Sequence, residues 1–174
     1  MDCKKCILHK TRRNIVWGYG NKKSPIMIIG EAPGRNEDIK GKPFVGRAGI
    51  ILDEILDILD LTRDDVYITN VVKCRPPNNR NPTDNEIESC FEYFNSELQE
   101  IDPKIIIPMG KFATRQILKI YKQPFNNISE SRGQTYMTFD KKMICPLYHP
   151  AALIYNNSLM DVMKRDVLNI GKLL

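Results

Sequence analysis

An α/β fold with a parallel sheet and helices on both faces is predicted from three features of this chain. Short apolar runs occupy 25–30, 66–72 and 104–108, amphipathic stretches separate them, and glycine- or proline-bearing loops follow them. The run Pro25-Ile26-Met27-Ile28-Ile29-Gly30 is continuous and apolar, as a strand buried on both faces requires. A loop over 31–46 follows, with glycine or proline at 33, 34, 41 and 43. Apolar residues at 48, 51, 52, 55, 58, 59 and 61 then mark one face of a helix over 48–61. The β-branched segment 66–72 predicts a second strand. Three prolines and three asparagines make 75–82 a loop. Thr83, with Glu86 three residues on, signals a helix start, and that helix runs to about 101 and carries Cys90. A buried strand at 104–108 precedes a helix from Gly110 to about 121. Residues 124–133 read as polar loop, and 135–139 with 142–145 as a hairpin around Asp140-Lys141. The chain closes with a loop or short helix over 149–155 and an amphipathic helix over 158–174.

At 174 residues the expectation is one domain, 1–174. Hydrophobic residues at 42% and charged residues at 27% exclude disorder, collagen and coiled coil. No apolar run approaches the roughly 18 residues of a membrane span. The polar N-terminus Met1-Asp2-Cys3-Lys4-Lys5-Cys6 lacks a secretory core, so an intracellular protein without a signal peptide is expected. A net charge of +5 mildly favours a polyanionic partner.

Five cysteines in an intracellular chain argue against disulfides. Cys3 and Cys6 form a C-x2-C pair, and Cys74 and Cys90 follow. Four thiolates suit a zinc ion or an iron–sulfur cluster. Burial as small hydrophobes is the alternative, and it fits a lysine-rich terminus poorly. Cys145, inside an apolar run, reads as a buried strand residue.

In such sheets ligands bind beyond the carboxyl ends of the strands, so the candidate loops are 31–46, 70–82, 109–111 and 149–155. The first reads Gly30-Glu31-Ala32-Pro33-Gly34-Arg35-Asn36-Glu37-Asp38, then Gly41-Lys42-Pro43-Phe44-Val45-Gly46. It matches no phosphate-binding glycine pattern, and three acids beside it would repel a phosphate.

These segments, with Thr69-Asn70-Val71-Val72-Lys73-Cys74-Arg75-Pro76-Pro77, Asn79-Arg80, Cys90 and Tyr148-His149-Pro150-Ala151-Ala152-Leu153, resemble the iron–sulfur family 4 uracil-DNA glycosylases in one collinear order. The resemblance implies a three-layer αβα fold around a central, mainly parallel four-stranded sheet. It implies a 4Fe-4S cluster on Cys3, Cys6, Cys74 and Cys90. It implies removal of uracil from DNA as the first step of base excision repair, by a monofunctional, monomeric, cytoplasmic and nucleoid-associated enzyme. By the same resemblance Phe44 stacks on the extruded uracil, Asn70 reads its edge and Glu37 crowds the position of a thymine methyl. Glu31 and the Ala32 amide lie by the base and the attacking water, His149 bonds uracil O2, and Asn79 orients water. Without the resemblance, Glu31 reads as a helix cap, His149 as a satisfied turn histidine and Asn70 as the tie at a strand end. Lys42, Arg47, Lys73, Arg75, Arg80 and Lys111 form an expected basic rim for DNA phosphates, and Leu153 or Ile154 an expected wedge in the vacated base stack.

The chain departs from the family after Leu153, where Ile154-Tyr155-Asn156 replaces the common Leu-Arg. It also lacks the long basic, histidine-bearing insertion of covalently trapping relatives. Competing readings are an iron–sulfur electron carrier, which leaves the 31–46 loop unexplained, a zinc-dependent nucleic-acid module, and a sister glycosylase family of broader base range.

Overall fold

The computed structural model describes residues 2–174. Six strands form one sheet in the order β1 (Tyr19–Gly20), β3 (Tyr67–Asn70), β2 (Ile26–Gly30), β4 (Ile105–Pro108), β6 (Met143–Ile144), β5 (Tyr136–Met137). At its centre β2 pairs in parallel with β3 and with β4, and β6 continues the parallel run beyond β4. The four parallel strands are the expected sheet. Two short antiparallel edges extend it to six: β1 beside β3, and β5 as the other arm of the expected hairpin.

Alternation of side chains along the strands sorts the core into two layers. Ile26 and Ile28 of β2, with Ile68, Ile105 and Ile107, pack on Leu52, Ile55 and Leu56 of α2 (Arg47–Ile58). Leu153 of α6 (Pro150–Tyr155) and Met163, Val167 and Ile170 of α7 (Leu159–Gly171) complete that layer. Met27 and Ile29, with Tyr67, Ile106 and Ile144, pack on Ile87, Phe94 and Leu98 of α3 (Asp84–Ile101) and on Ala113, Ile117 and Leu118 of α4 (Gly110–Ile120). The central strands are buried on both faces, which is why they carry no polar alternation.

The capping signal at Thr83 is borne out. Its hydroxyl accepts the Glu86 N–H, and the Glu86 carboxylate accepts the Thr83 N–H. Three expected loops contain short helical turns. The 31–46 loop holds α1 (Arg35–Lys40), 124–133 holds α5 (Ile128–Ser131), and 75–82 holds a 3-10 turn at Pro77–Asn79. Such pieces are too short for apolar periodicity to show in sequence. Among the described residues no helix is long and apolar enough to cross a membrane.

Candidate active site

Parallel pairing places the carboxyl ends of β2, β3 and β4 along one edge, and the loops that leave them converge there. Glu31 follows β2 directly, and the register pairs Gly30 with Asn70, the last residue of β3. The ladder continues outward through the Val71 N–H to Gly30 carbonyl and Val72 N–H to Glu31 carbonyl bonds, both 3.0 Å. Leu147 bridges to Met109 just past β4, and His149 follows as the N-cap of α6. Glu31, Ala32, Glu37, Phe44, Asn70, Asn79 and His149 thereby line one cleft of about 420 Å³. A larger groove of about 590 Å³ lies between α3 and α4, holds the Asp84–Arg115 ion pair, and contains none of the predicted site residues.

Gly30 makes the floor of the cleft possible. A Cβ there would overlap Asn70 Oδ1 and lie 2.7 Å from the Phe44 ring, so only glycine lets those two side chains close over the strand end. Asn70 is 3% exposed, and its carbonyl accepts a 2.7 Å bond from Lys73 Nζ. Phe44 faces His149 with ring centroids 6.0 Å apart and planes 23° from parallel.

The His149 Nδ1 accepts the Ala151 N–H at 3.1 Å, which places the ring proton on Nε2. Burial pushes the ring down to about pKa 4, so it is neutral at pH 7. Glu31 shifts the other way, because burial alone pushes its carboxyl up to about 7. Glu37, six residues on, is buried more fully, but one of its oxygens accepts the Val45 and Gly46 amides at 2.9 and 2.7 Å. It therefore clamps the loop as well as lining the cleft, a part its sequence position did not signal. Asn79 accepts a 2.7 Å bond from Arg75 Nε at the cleft wall.

Two sequence expectations are corrected. Leu153 is 1% exposed inside the core layer formed with α2 and α7, so it cannot enter a DNA stack. Ile154, the other residue expected to wedge, is half-buried, and the exposed residue on that helix is Tyr155, 88% exposed at the cleft mouth. Lys73 is 1% exposed and bonded to Glu97, so it is not part of a phosphate-facing rim. Lys42, Arg47 and Lys111 are exposed, whereas Arg80 makes a two-pronged bond to Glu86 at 2.8 and 2.6 Å.

The structure brings the two cysteine pairs to one corner. Arg12 donates to the Cys3 carbonyl at 2.7 Å and to Cys74 Sγ at 3.5 Å, and the Lys73 N–H donates to Cys90 Sγ at 3.3 Å. Cys6 packs against the core layer that contains Cys74. Burial raises the Cys74 thiol and pushes Cys90 up to about 11, with the nearby Cys6 adding to both in a small way. Among the described residues no three His, Cys, Asp or Glu side chains are drawn to the spacing of a single-ion site. The donor set is all sulfur, with N–H donors aimed at two of the thiols, which fits a soft thiolate-bound centre. Cys145 is buried and apart from this corner, as expected.

A family model described as Uracil DNA glycosylase superfamily matches residues 17–169. The chain is 47% identical over 176 residues to a type-4 uracil-DNA glycosylase of Archaeoglobus fulgidus, covering 99% of this chain and 88% of the relative. It is 46% identical over 177 residues to one from Saccharolobus solfataricus and 45% identical over 177 residues to one from Sulfurisphaera tokodaii. Those matches cover 99% of this chain and 82% and 80% of the relatives.

Proposed function

The chain belongs to the uracil DNA glycosylase superfamily, and we propose from that premise how its cleft does the chemistry. The protein is a uracil-DNA glycosylase, which hydrolyses the N-glycosidic bond of uracil in DNA and so begins base excision repair. The observation that carries the residue roles is the convergence of Asn70, Phe44, neutral His149 and Glu31 on one cleft.

Uracil must leave the duplex to be attacked, at a cost of a few kcal/mol. Stacking on Phe44 recovers about 1–3 kcal/mol of it. The Asn70 amide offers a donor and an acceptor that match uracil O4 and N3–H. As the bond from C1′ to N1 breaks, the sugar becomes cationic and uracil leaves as an anion. The His149 Nε2–H donates to O2, where that charge develops, and being neutral the ring keeps this proton as a donor. The Glu31 carboxylate, once ionised, faces the cationic sugar and holds the water whose oxygen bonds to C1′. The water's proton leaves to solvent, and uracil N1 is protonated after departure. Glu37 and the Ala32 amide close the cleft around the base, and Asn79 orients water at its wall. Exposed Lys42, Arg47 and Lys111 contact phosphates, and Ile154 or the exposed Tyr155 enters the vacated base stack.

Cys3, Cys6, Cys74 and Cys90 would hold the 4Fe-4S cluster. When bound it would supply a structural cross-link, since hydrolysis moves no electrons. Arg12, which donates to the Cys3 carbonyl and to Cys74 Sγ, joins the N-terminal segment to the segment that follows Asn70, and the cluster would tie the same two.

A base-release assay on oligonucleotides carrying uracil, hypoxanthine, thymine or ethenocytosine tests the reading. Uracil release with little from the others is expected. Equal release of hypoxanthine or ethenocytosine would place specificity outside Asn70. The iron reading predicts absorbance near 400 nm that Cys74→Ala loses and Cys145→Ala keeps.

A further inference from the structure

Phe44 is held in a conformation that a bulky side chain rarely adopts, with φ at +52°. Such strain persists only where surrounding contacts over-determine it, and three do so here. The Phe44 carbonyl accepts a 2.7 Å bond from the Arg63 guanidinium, and the same nitrogen reaches the Gly49 carbonyl at 3.1 Å. Arg63 is itself aimed by Asp53, whose carboxylate accepts its Nε at 2.6 Å. From below, Gly49 in the first turn of α2 lies against the Phe44 carbonyl so closely that a Cβ would overlap it. From the far side, the Glu37 carboxylate takes the Val45 and Gly46 amides. The main chain around the strained residue is therefore gripped by a cation at its acceptor and by an anion at its donors.

We propose that Arg63 is a positioning residue of the base pocket. Its bond to the Phe44 carbonyl keeps that residue at positive φ, and so keeps the ring across from His149 and beside Asn70. Without the guanidinium, the Phe44 backbone relaxes toward negative φ and the ring leaves the stacking position. This inference rests on the reading of Phe44 as the face on which uracil stacks. Arg63 does not line the cleft, and it acts only through Phe44.

The test compares Arg63→Met, which keeps the aliphatic stem, with Arg63→Lys, Phe44→Ala and the Phe44→Ala/Arg63→Met pair. The readouts are inhibition by free uracil, affinity for abasic product DNA, and the midpoint of urea unfolding. Arg63→Met is expected to weaken uracil inhibition about tenfold and leave product-DNA affinity within about twofold. Arg63→Lys restores part of the loss, because an ammonium still donates to the carbonyl. In the Phe44→Ala background Arg63→Met has no further effect on uracil, since the ring through which it acts is gone. Equal loss of uracil and product-DNA affinity in Arg63→Met, or additivity in the pair, would overturn the positioning role. If Phe44→Ala leaves uracil inhibition intact, the stacking reading itself fails. If Phe44→Ala loses it and Arg63→Met does not, only the inference fails. Should Arg63→Met not fold, Asp53→Ala, which removes the acceptor of the Arg63 Nε–H, carries the test. It loosens the guanidinium without removing it, and an undiminished uracil inhibition there would overturn the proposal.

Discussion

Glu97 is buried and Glu31 half-buried, and the protein treats them differently. Glu97 accepts the Lys73 ammonium at 2.5 Å and the Thr69 hydroxyl at 2.6 Å on one oxygen, and the Gly18 N–H at 2.9 Å on the other. Lys73 adds bonds to the Thr69 hydroxyl and the Asn70 carbonyl, both 2.7 Å. Every charge in that cluster has a partner, and the cluster lies directly against the strand that ends in Asn70. Glu31, one residue beyond β2, is shifted by burial alone. The paired acid makes scaffold, because removing either partner strands a buried charge. The unshifted-by-partners acid sits near its ionisation point at neutral pH, which is where a group that must meet a developing cation is most responsive.

The contrast breaks most visibly in stability. Glu97→Ala leaves the Lys73 ammonium buried without its counter-charge, and about 3–5 kcal/mol of folding stability should be lost in urea titration. Glu31→Ala should cost less than about 1 kcal/mol, because no partner is orphaned. Comparable losses in the two variants would erase the distinction.

Next in size is the chemical step. His149→Ala removes the Nε2–H donor, and single-turnover uracil release should fall roughly a hundredfold or more. Affinity for abasic DNA should hold, since the charge His149 meets exists only as the bond breaks. Lost affinity at an unchanged rate would make His149 structural.

Asn70 belongs to both regions, with its carbonyl on Lys73 and its amide in the cleft. Cytosine reverses the donor and acceptor pattern that uracil offers, which costs about 1–3 kcal/mol per mispaired contact in a dry site. Asn70→Asp should lose most uracil activity and gain relative activity on cytosine, measured on single-stranded DNA carrying either base. An unchanged ratio would show that specificity is read elsewhere.

The gentlest test is pH. With Glu31 raised to about 7, activity should climb as pH rises through that value, and Glu31→Gln should flatten the climb. The neutral His149, lowered to about 4, adds no second step in that window. Stability runs oppositely for the two. The folded Glu31 binds its proton more tightly than the unfolded chain, so its contribution is full below about 4.5 and lost as pH rises toward 7. His149 contributes fully above about 6.5, and that share is lost as pH falls toward 4. Relative to Glu31→Gln, the native protein should therefore become less stable between pH 4.5 and 7, and an opposite trend in urea midpoints would refute the Glu31 shift.

Much of the site was legible because it depends on local chemistry. The strands announced themselves through β-branched and apolar runs, the α3 start through the Thr83 and Glu86 pair, and the cysteine corner through its two-by-two spacing. The resemblance to family 4 assigned Glu31, Phe44, Asn70 and His149 to one cleft, and the fold brings them there. Lys73 and Leu153 were misplaced because exposure is not a property of residue type. A lysine beside a DNA-side loop is buried here by Glu97, Thr69 and a backbone carbonyl, and a leucine in a wedge-like position points into the α2–α7 layer. Arg63 and Glu37 gave no signal of their clamping parts, since each acts on main-chain atoms that sequence patterns do not describe.

The sequence by itself determined the order of elements, the reactive residue types and the loops that carry them, since periodicity, capping and turn chemistry act over a few neighbours. Only the tertiary structure decided the electrostatic state of those residues. It left Glu31 desolvated without a partner, put the His149 proton on Nε2, and surrounded the Lys73 ammonium with acceptors. Each outcome depends on which groups from distant parts of the chain come within hydrogen-bonding reach and which displace water, and both are set when the strands and helices pack.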